Sequence, residues 1–264
     1  MTTSDATGPR RWRVVLYRVL ATVVGLLFLF AGVTNAAAPW ALLLPGSEPH
    51  PELHRWFFAV AGAVDLILAV GLLALAYRPR LTLIVVYHLV GVVIAAAINL
   101  PFAPTFLVIL AIGALPLVAY PYWRDLRGFR RWWAGSDRVL LTLAAVAAVV
   151  LVVTAVLAMG DQIAGTDAAA QANWWADYAE HATLLGVAGV LAASHGPGWR
   201  ILAAITAVAW LYLGLVAALV LPHYTGSWGR LGGVAALVVG VAVAALTWWP
   251  IGHRMVPTPR PATP

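Results

Sequence analysis

Asp65 stands in the run Ala61-Gly-Ala-Val-Asp-Leu-Ile-Leu68, with no other charge near it, about ten residues from either end of an apolar segment. An ionisable side chain at such depth is costly in a bilayer and is a functional candidate by default. His88 lies in the next apolar segment, eight residues after Arg80. At ~1.5 Å of rise per residue, offset or tilted helices bring the two within reach of a direct or water-bridged pair. A carboxylate beside an imidazole suits proton transfer, quinone hydrogen bonding or capture of a polar ligand. The competing reading is that Asp65 is protonated or bonded to a neighbour and only locks the bundle. Asn35 and Asn99, near the ends of their segments, join these as candidates, with interhelical bonding as the plainer role.

A second constellation sits at segment ends. His50, Glu52 and His54 precede the second apolar segment; Asp177, Glu180 and His181 open the sixth; His223 follows the seventh. Asp177 and His181 are four residues apart and share a helix face, a spacing that suits two ligands of one zinc or copper ion. His and acid residues are also what a water boundary retains for capping and loop hydrogen bonds. The chain has no cysteine, which excludes disulfides and thiolate ligands.

The elements that must position these residues are membrane helices. The chain is 62% hydrophobic and 10% charged, against roughly 45–50% and about 25% in soluble domains. Runs of about 20 apolar residues cross the ~30 Å hydrocarbon core. Such runs cover 14–38, 54–76, 81–100, 104–120, 138–159, 179–194, 200–221 and 230–249, the sixth being the shortest. The first is too long for the apolar part of a cleavable signal peptide. The expectation is an all-α polytopic bundle of about eight helices.

With the N-terminus cytoplasmic, fourteen arginines fall on the inner side and only Arg55 and Arg230 on the outer. The positive-inside rule therefore places both termini in the cytoplasm, and the chain reads as a bacterial plasma-membrane protein. The +6 net charge is a topology signal, not a nucleic-acid footprint. Trp12, Trp40, Trp56, Trp123, Trp174, Trp175, Trp199, Trp228, Trp248 and Trp249 fall near span ends, where an aromatic belt is expected.

The spans repeat. Arg18-Val-Leu recurs as Arg138-Val-Leu, and the stretch from Arg80 to Leu100-Pro101 resembles that from Arg200 to Leu221-Pro222. Four helices return the chain to its starting side, so the halves are expected to be parallel repeats. The organisation reads as an N-terminal tail (1–12), a first four-helix unit (13–120), a linker (121–137), a second unit (138–250) and a proline-rich tail (251–264). The linker carries Arg124, Arg127, Arg130, Arg131, Trp132 and Trp133. It is expected to bind anionic lipid headgroups, with docking of a membrane or cytoplasmic partner protein as the alternative. Stepping 120 or 121 residues on from Asp65 reaches Leu185 or Gly186, and from His88 reaches Val208 or Ala209. The expectation is thus that the membrane-depth polar site belongs to the first unit alone.

Several features of the first unit occur together: Gly25-Leu-Leu-Phe-Leu-Phe-Ala-Gly32-Val-Thr-Asn35, the acid of Asp65 before Gly71-Leu-Leu, and the basic turn Arg78-Pro-Arg80 ahead of His88. Over residues 14–120 this resembles the DoxX-like superfamily of four-helix membrane proteins, here in tandem or extended form. Asn35 stands where the family often has lysine, and Asp65 where it usually has glutamate. The resemblance implies a membrane component of a redox-linked or stress-response system, with a quinone as the implied ligand beside Asp65 and His88. Two other classes fit the sequence: a proton-coupled small-molecule transporter using Asp65, and a non-catalytic scaffold for partner proteins. Whether the chain is an enzyme is left open by the sequence.

Overall fold

A computed structural model describes residues 9–43, 52–128, 132–133, 136–224 and 226–248. Eight long helices carry the fold. They are α1 (Arg11–Ala37), α2 (Glu52–Tyr77), α3 (Thr82–Asn99), α4 (Leu107–Ala119), α5 (Arg138–Ala164), α6 (Trp174–Ala193), α7 (Trp199–Leu215) and α8 (Gly229–Trp248). No strand occurs among the described residues. Six of the helices are long and apolar enough to cross a membrane; α4 is apolar but shorter. α6, the span least evident in the sequence, starts five residues earlier than its apolar run, and its first two turns carry Asp177, Glu180 and His181.

Local chemistry sets the breaks. Prolines at 79, 101, 197 and 222 stand in the turns, where a missing N–H and a fixed φ end a helix. Gly198 closes the turn before α7 at φ +101°, in the left-handed region. The Asp137 carboxylate caps α5, accepting from the N–H groups of Val139 at 2.8 Å and Leu140 at 3.1 Å. α7 runs on through a π turn, Val216–Val220, closed by Leu221 N–H donating to the Val216 carbonyl at 2.8 Å. Such a turn holds one residue more than an α turn. From Arg80 to Pro101 the step is 21 residues (101 − 80), and from Arg200 to Pro222 it is 22 (222 − 200). The π turn absorbs that extra residue, so the two Leu-Pro ends keep the same place.

The packing follows the repeat. α1 against α2 and α5 against α6 are the most extensive pairs, and between halves α2 packs on α7 while α3 packs on α6. Advancing each helix by four turns one of these pairs into the other. Close approach is made by small residues, as membrane helices require. A Cβ on Gly62 of α2 would lie 2.9 Å from the Gly32 carbonyl oxygen of α1, and one on Gly186 of α6 would lie 3.1 Å from Ala148 Cα of α5. α2 is mostly buried, whereas α1 and α5 are mostly exposed. The outer helices turn Phe30, Val118, Leu157 and Leu231 outward, an apolar surface suited to lipid.

One expectation is corrected by this packing. Trp56 and Trp175 are buried, not part of an aromatic belt. Trp56 meets Trp228 edge to face at 4.9 Å between ring centres, and Trp228 stacks on Trp210 at 5.5 Å. Trp12, Trp123 and Trp248 do remain exposed at helix ends. Trp132 and Trp133, expected at headgroup level, are half-buried against the core, with Trp132 packed on Gly196 in the α6–α7 turn.

Candidate functional site

A cavity of ≈250 Å³ opens among α1, α2, α3, α4 and α6. Its polar lining residues are Asn35, Asp65, His88, Asp177, Glu180 and His181; apolar ones include Phe28, Leu68, Phe106, Ile109, Leu110 and Leu184. Space exists because α4 packs more loosely on α3 than its counterpart α8 packs on α7. A Cβ on Gly113 of α4 would find only Phe28 Cζ, at 4.0 Å.

The polar wall is built in layers. Asp65 is 8% exposed, and its Oδ2 accepts from Asn35 Nδ2 at 3.3 Å. Its Oδ1 faces His181 Nε2 at 4.0 Å, beyond hydrogen-bond reach. His181 Nδ1 lies 2.6 Å from the backbone carbonyl of Asp177. A carbonyl only accepts, so Nδ1 carries the proton, and in the neutral ring Nε2 keeps its lone pair. Glu180 is 6% exposed and its Oε2 accepts from Asn99 Nδ2. His88 is 3% exposed; its Nε2 donates to the Gly113 carbonyl at 2.7 Å, which leaves Nδ1 as an acceptor. That Nδ1 is buried and has no hydrogen-bond partner among the described residues.

Groups outside the cavity fix where α6 begins. Buried Gln162, near the end of α5, donates to the Ala170 carbonyl at 2.8 Å and accepts from Ala176 N–H at 3.2 Å. Asp167 caps the one-turn helix Ala168–Gln171 and accepts from Trp175 Nε1 at 3.0 Å. These bonds set the register that points Glu180 and His181 inward. Nothing in the sequence singled out Gln162; its one signal was a lone amide on an otherwise apolar helix.

The structure merges the two constellations that the sequence kept apart. Asp177, Glu180 and His181 of the second half line the same cavity as Asp65 and His88, so the expectation that the polar site belongs to the first half alone is wrong. Counting residues forward looked for copies of Asp65, whereas the second half supplies its complement. Asp65 and His88 share the cavity, but Asp65 is engaged by Asn35 and His181. Of the candidate metal ligands, only Asp177, Glu180 and His181 group together among the described residues. His223 is exposed and stands outside that group, and His50 and the side chain of His54 lie outside the described residues.

At the arginine-rich end, Arg10, Arg13, Arg80 and Arg124 line a second cavity of ≈560 Å³ with Tyr120 and Tyr122. Arg80 lies 3.8 Å from Asp125 and over the Tyr122 ring. Arg124 and Arg127 are exposed on a short 3₁₀ helix, Trp123–Gly128; Arg130 and Arg131 lie outside the described residues. No family model, curated protein or solved structure matches this chain.

Proposed function

We propose that the protein is a DoxX-like membrane component of a redox-linked system, and that its cavity holds a lipid-soluble molecule with a hydrogen-bonding head, such as a quinone in its hydroxyl-bearing form. One observation carries this reading: His88, which lines a largely apolar cavity, keeps a buried acceptor, Nδ1, with no hydrogen-bond partner among the described residues. Small-molecule sites are apolar pockets with a few placed polar groups. An unmet acceptor in a low-dielectric interior costs about 1–3 kcal/mol, which a ligand hydroxyl would recover. Phe28, on α1, meets the His88 ring edge-on at 6.5 Å between ring centres and leaves the rest of the wall apolar.

The test is binding of a short-chain quinol to the purified chain in lipid nanodiscs. His88→Leu should weaken it by tenfold or more, about 1.4 kcal/mol, beyond the ~1 kcal/mol of stability lost with the Gly113 bond. Equal affinity in wild type and variant would remove the cavity from this role. The arginine distribution supports a cytoplasmic location for both termini. Because the chain lacks cysteine, single cysteines at Ser136 and Ser227 offer a clean check. An impermeant thiol reagent applied to intact cells should reach Ser227→Cys and not Ser136→Cys.

A further inference from the structure

Asp65, Asp177 and Glu180 bring three carboxyl groups to one cavity whose lining holds no arginine or lysine among the described residues. Buried charges are paired, neutralised or bound to metal. Two features favour the third outcome. One ligand atom from each of Asp177, Glu180 and His181 lies within 4.8 Å of the others, and Asp65 adjoins that group through His181 alone. His181, 7% exposed, has Asp177 Oδ1 3.5 Å from its Nδ1 and turns Nε2 toward Asp65 Oδ1 across 4.0 Å. That gap is too wide for a hydrogen bond. Metal–nitrogen and metal–oxygen bonds of about 2.0–2.2 Å place two tetrahedral ligand atoms about 3.4 Å apart, so an ion would draw this pair together by about 0.6 Å.

The outer layer is also that of a metal site. A ligating imidazole ordinarily donates its other N–H to a carbonyl or carboxylate, and ligating carboxylates are themselves hydrogen-bonded. His181 Nδ1–H is fixed by the Asp177 carbonyl, Asp65 Oδ2 by Asn35 and Glu180 Oε2 by Asn99. Asp65 Oδ1, Glu180 Oε1, His181 Nε2 and the Asp177 carboxylate are the atoms left to ligate. We infer that Asp65, Asp177, Glu180 and His181 bind one divalent transition-metal ion, bridging α2 of the first half to α6 of the second. One imidazole with three carboxylates suits Zn²⁺, Co²⁺ or Mn²⁺; without thiolate ligands the set is too hard to select Cu⁺. The site is separate from the His88 acceptor, so it stands or falls without the quinol reading.

The full-length, untagged chain, stripped with chelator and held in nanodiscs without added quinone, is titrated with Co²⁺ by visible absorption and with Zn²⁺ by calorimetry. The expected result is saturation at one equivalent. His181→Ala should abolish it, Asn99→Ala should weaken it by ~10–100-fold, and His223→Ala should leave it unchanged. Metal-free gel filtration and thermal melting verify the fold of each variant. If His181→Ala does not fold, the near-isosteric Glu180→Gln takes its place with at least a tenfold loss expected. No saturable binding, binding that survives in the variant, an equal loss in His223→Ala, or uptake of Mg²⁺ and Ca²⁺ alone would each overturn the assignment.

Discussion

The two halves use one helix order to opposite ends. In the second, α7 and α8 close on each other through glycine: a Cβ on either Gly214 or Gly233 would lie 2.8 Å from the other's carbonyl oxygen, and one on Gly240 would meet Leu211. In the first, α3 and α4 stand apart around the cavity, joined at its wall by the His88–Gly113 bond. The difference separates tasks. The tight half is a buttress, and its α6 reaches across to complete a site that the loose half encloses. Repeated architecture here does not mean repeated chemistry.

That contrast can be broken most sharply at its glycines. Gly233→Ala puts a Cβ 2.6 Å from the Ala218 backbone nitrogen, forcing α7 and α8 apart. It should cost about 2–3 kcal/mol, read as a lower thermal midpoint in detergent. Gly113→Ala, on the matching helix of the loose half, should be neutral or gain up to about 1 kcal/mol of helix propensity. Equal destabilisation by the two would erase the distinction between halves.

Next in size is Gln162→Ala. It strands the Ala176 N–H, while the Ala170 carbonyl keeps the Asn173 N–H at 3.1 Å, at about 1–3 kcal/mol, and should loosen α6 where it enters the site. A melt like that of wild type would show that the loop is held by other means. The smallest effect is the most diagnostic. Gly91→Leu projects into the cavity from α3, where the nearest atom to a new Cβ is Leu184 Cδ2 at 3.6 Å. Filling that space should raise stability by about 0.5–1 kcal/mol while excluding a quinol, making the first half resemble the second. Retained binding would place the ligand elsewhere.

The helices were legible because hydropathy and proline are local signals. The runs at 81–100 and 200–221 match α3 and α7 with its π turn to within about two residues. Arginine placement and the Leu-Pro ends exposed the repeat. Asp65, His88, Asp177, Glu180 and His181 were each visible as misplaced polarity in apolar surroundings. Their union was not. Asp65 and His181 are 116 residues apart (181 − 65), and no spacing rule links positions joined only by how two halves dock. Trp56 was misplaced for a related reason: a tryptophan at a helix end belongs to the headgroup region only if no neighbouring helix covers it, and α8 begins beside it with Trp228.

α4 has a consequence for the surrounding lipid. With the 3₁₀ turn Pro104–Phe106 that leads into it, it forms the apolar segment Pro104–Ala119, which reaches about 25 Å at ~1.5–2.0 Å per residue, short of the ~30 Å hydrocarbon layer. A short apolar segment makes the adjoining bilayer thin to meet it. Phe106, Ile109 and Leu110, at the start of that segment, form part of the cavity wall. The hydrophobic mismatch therefore falls beside the cavity, drawing headgroups and water down toward its polar pole. A molecule dissolved in the acyl chains would have the shortest path to that pole at this dimple, and bilayer thickness would govern its entry.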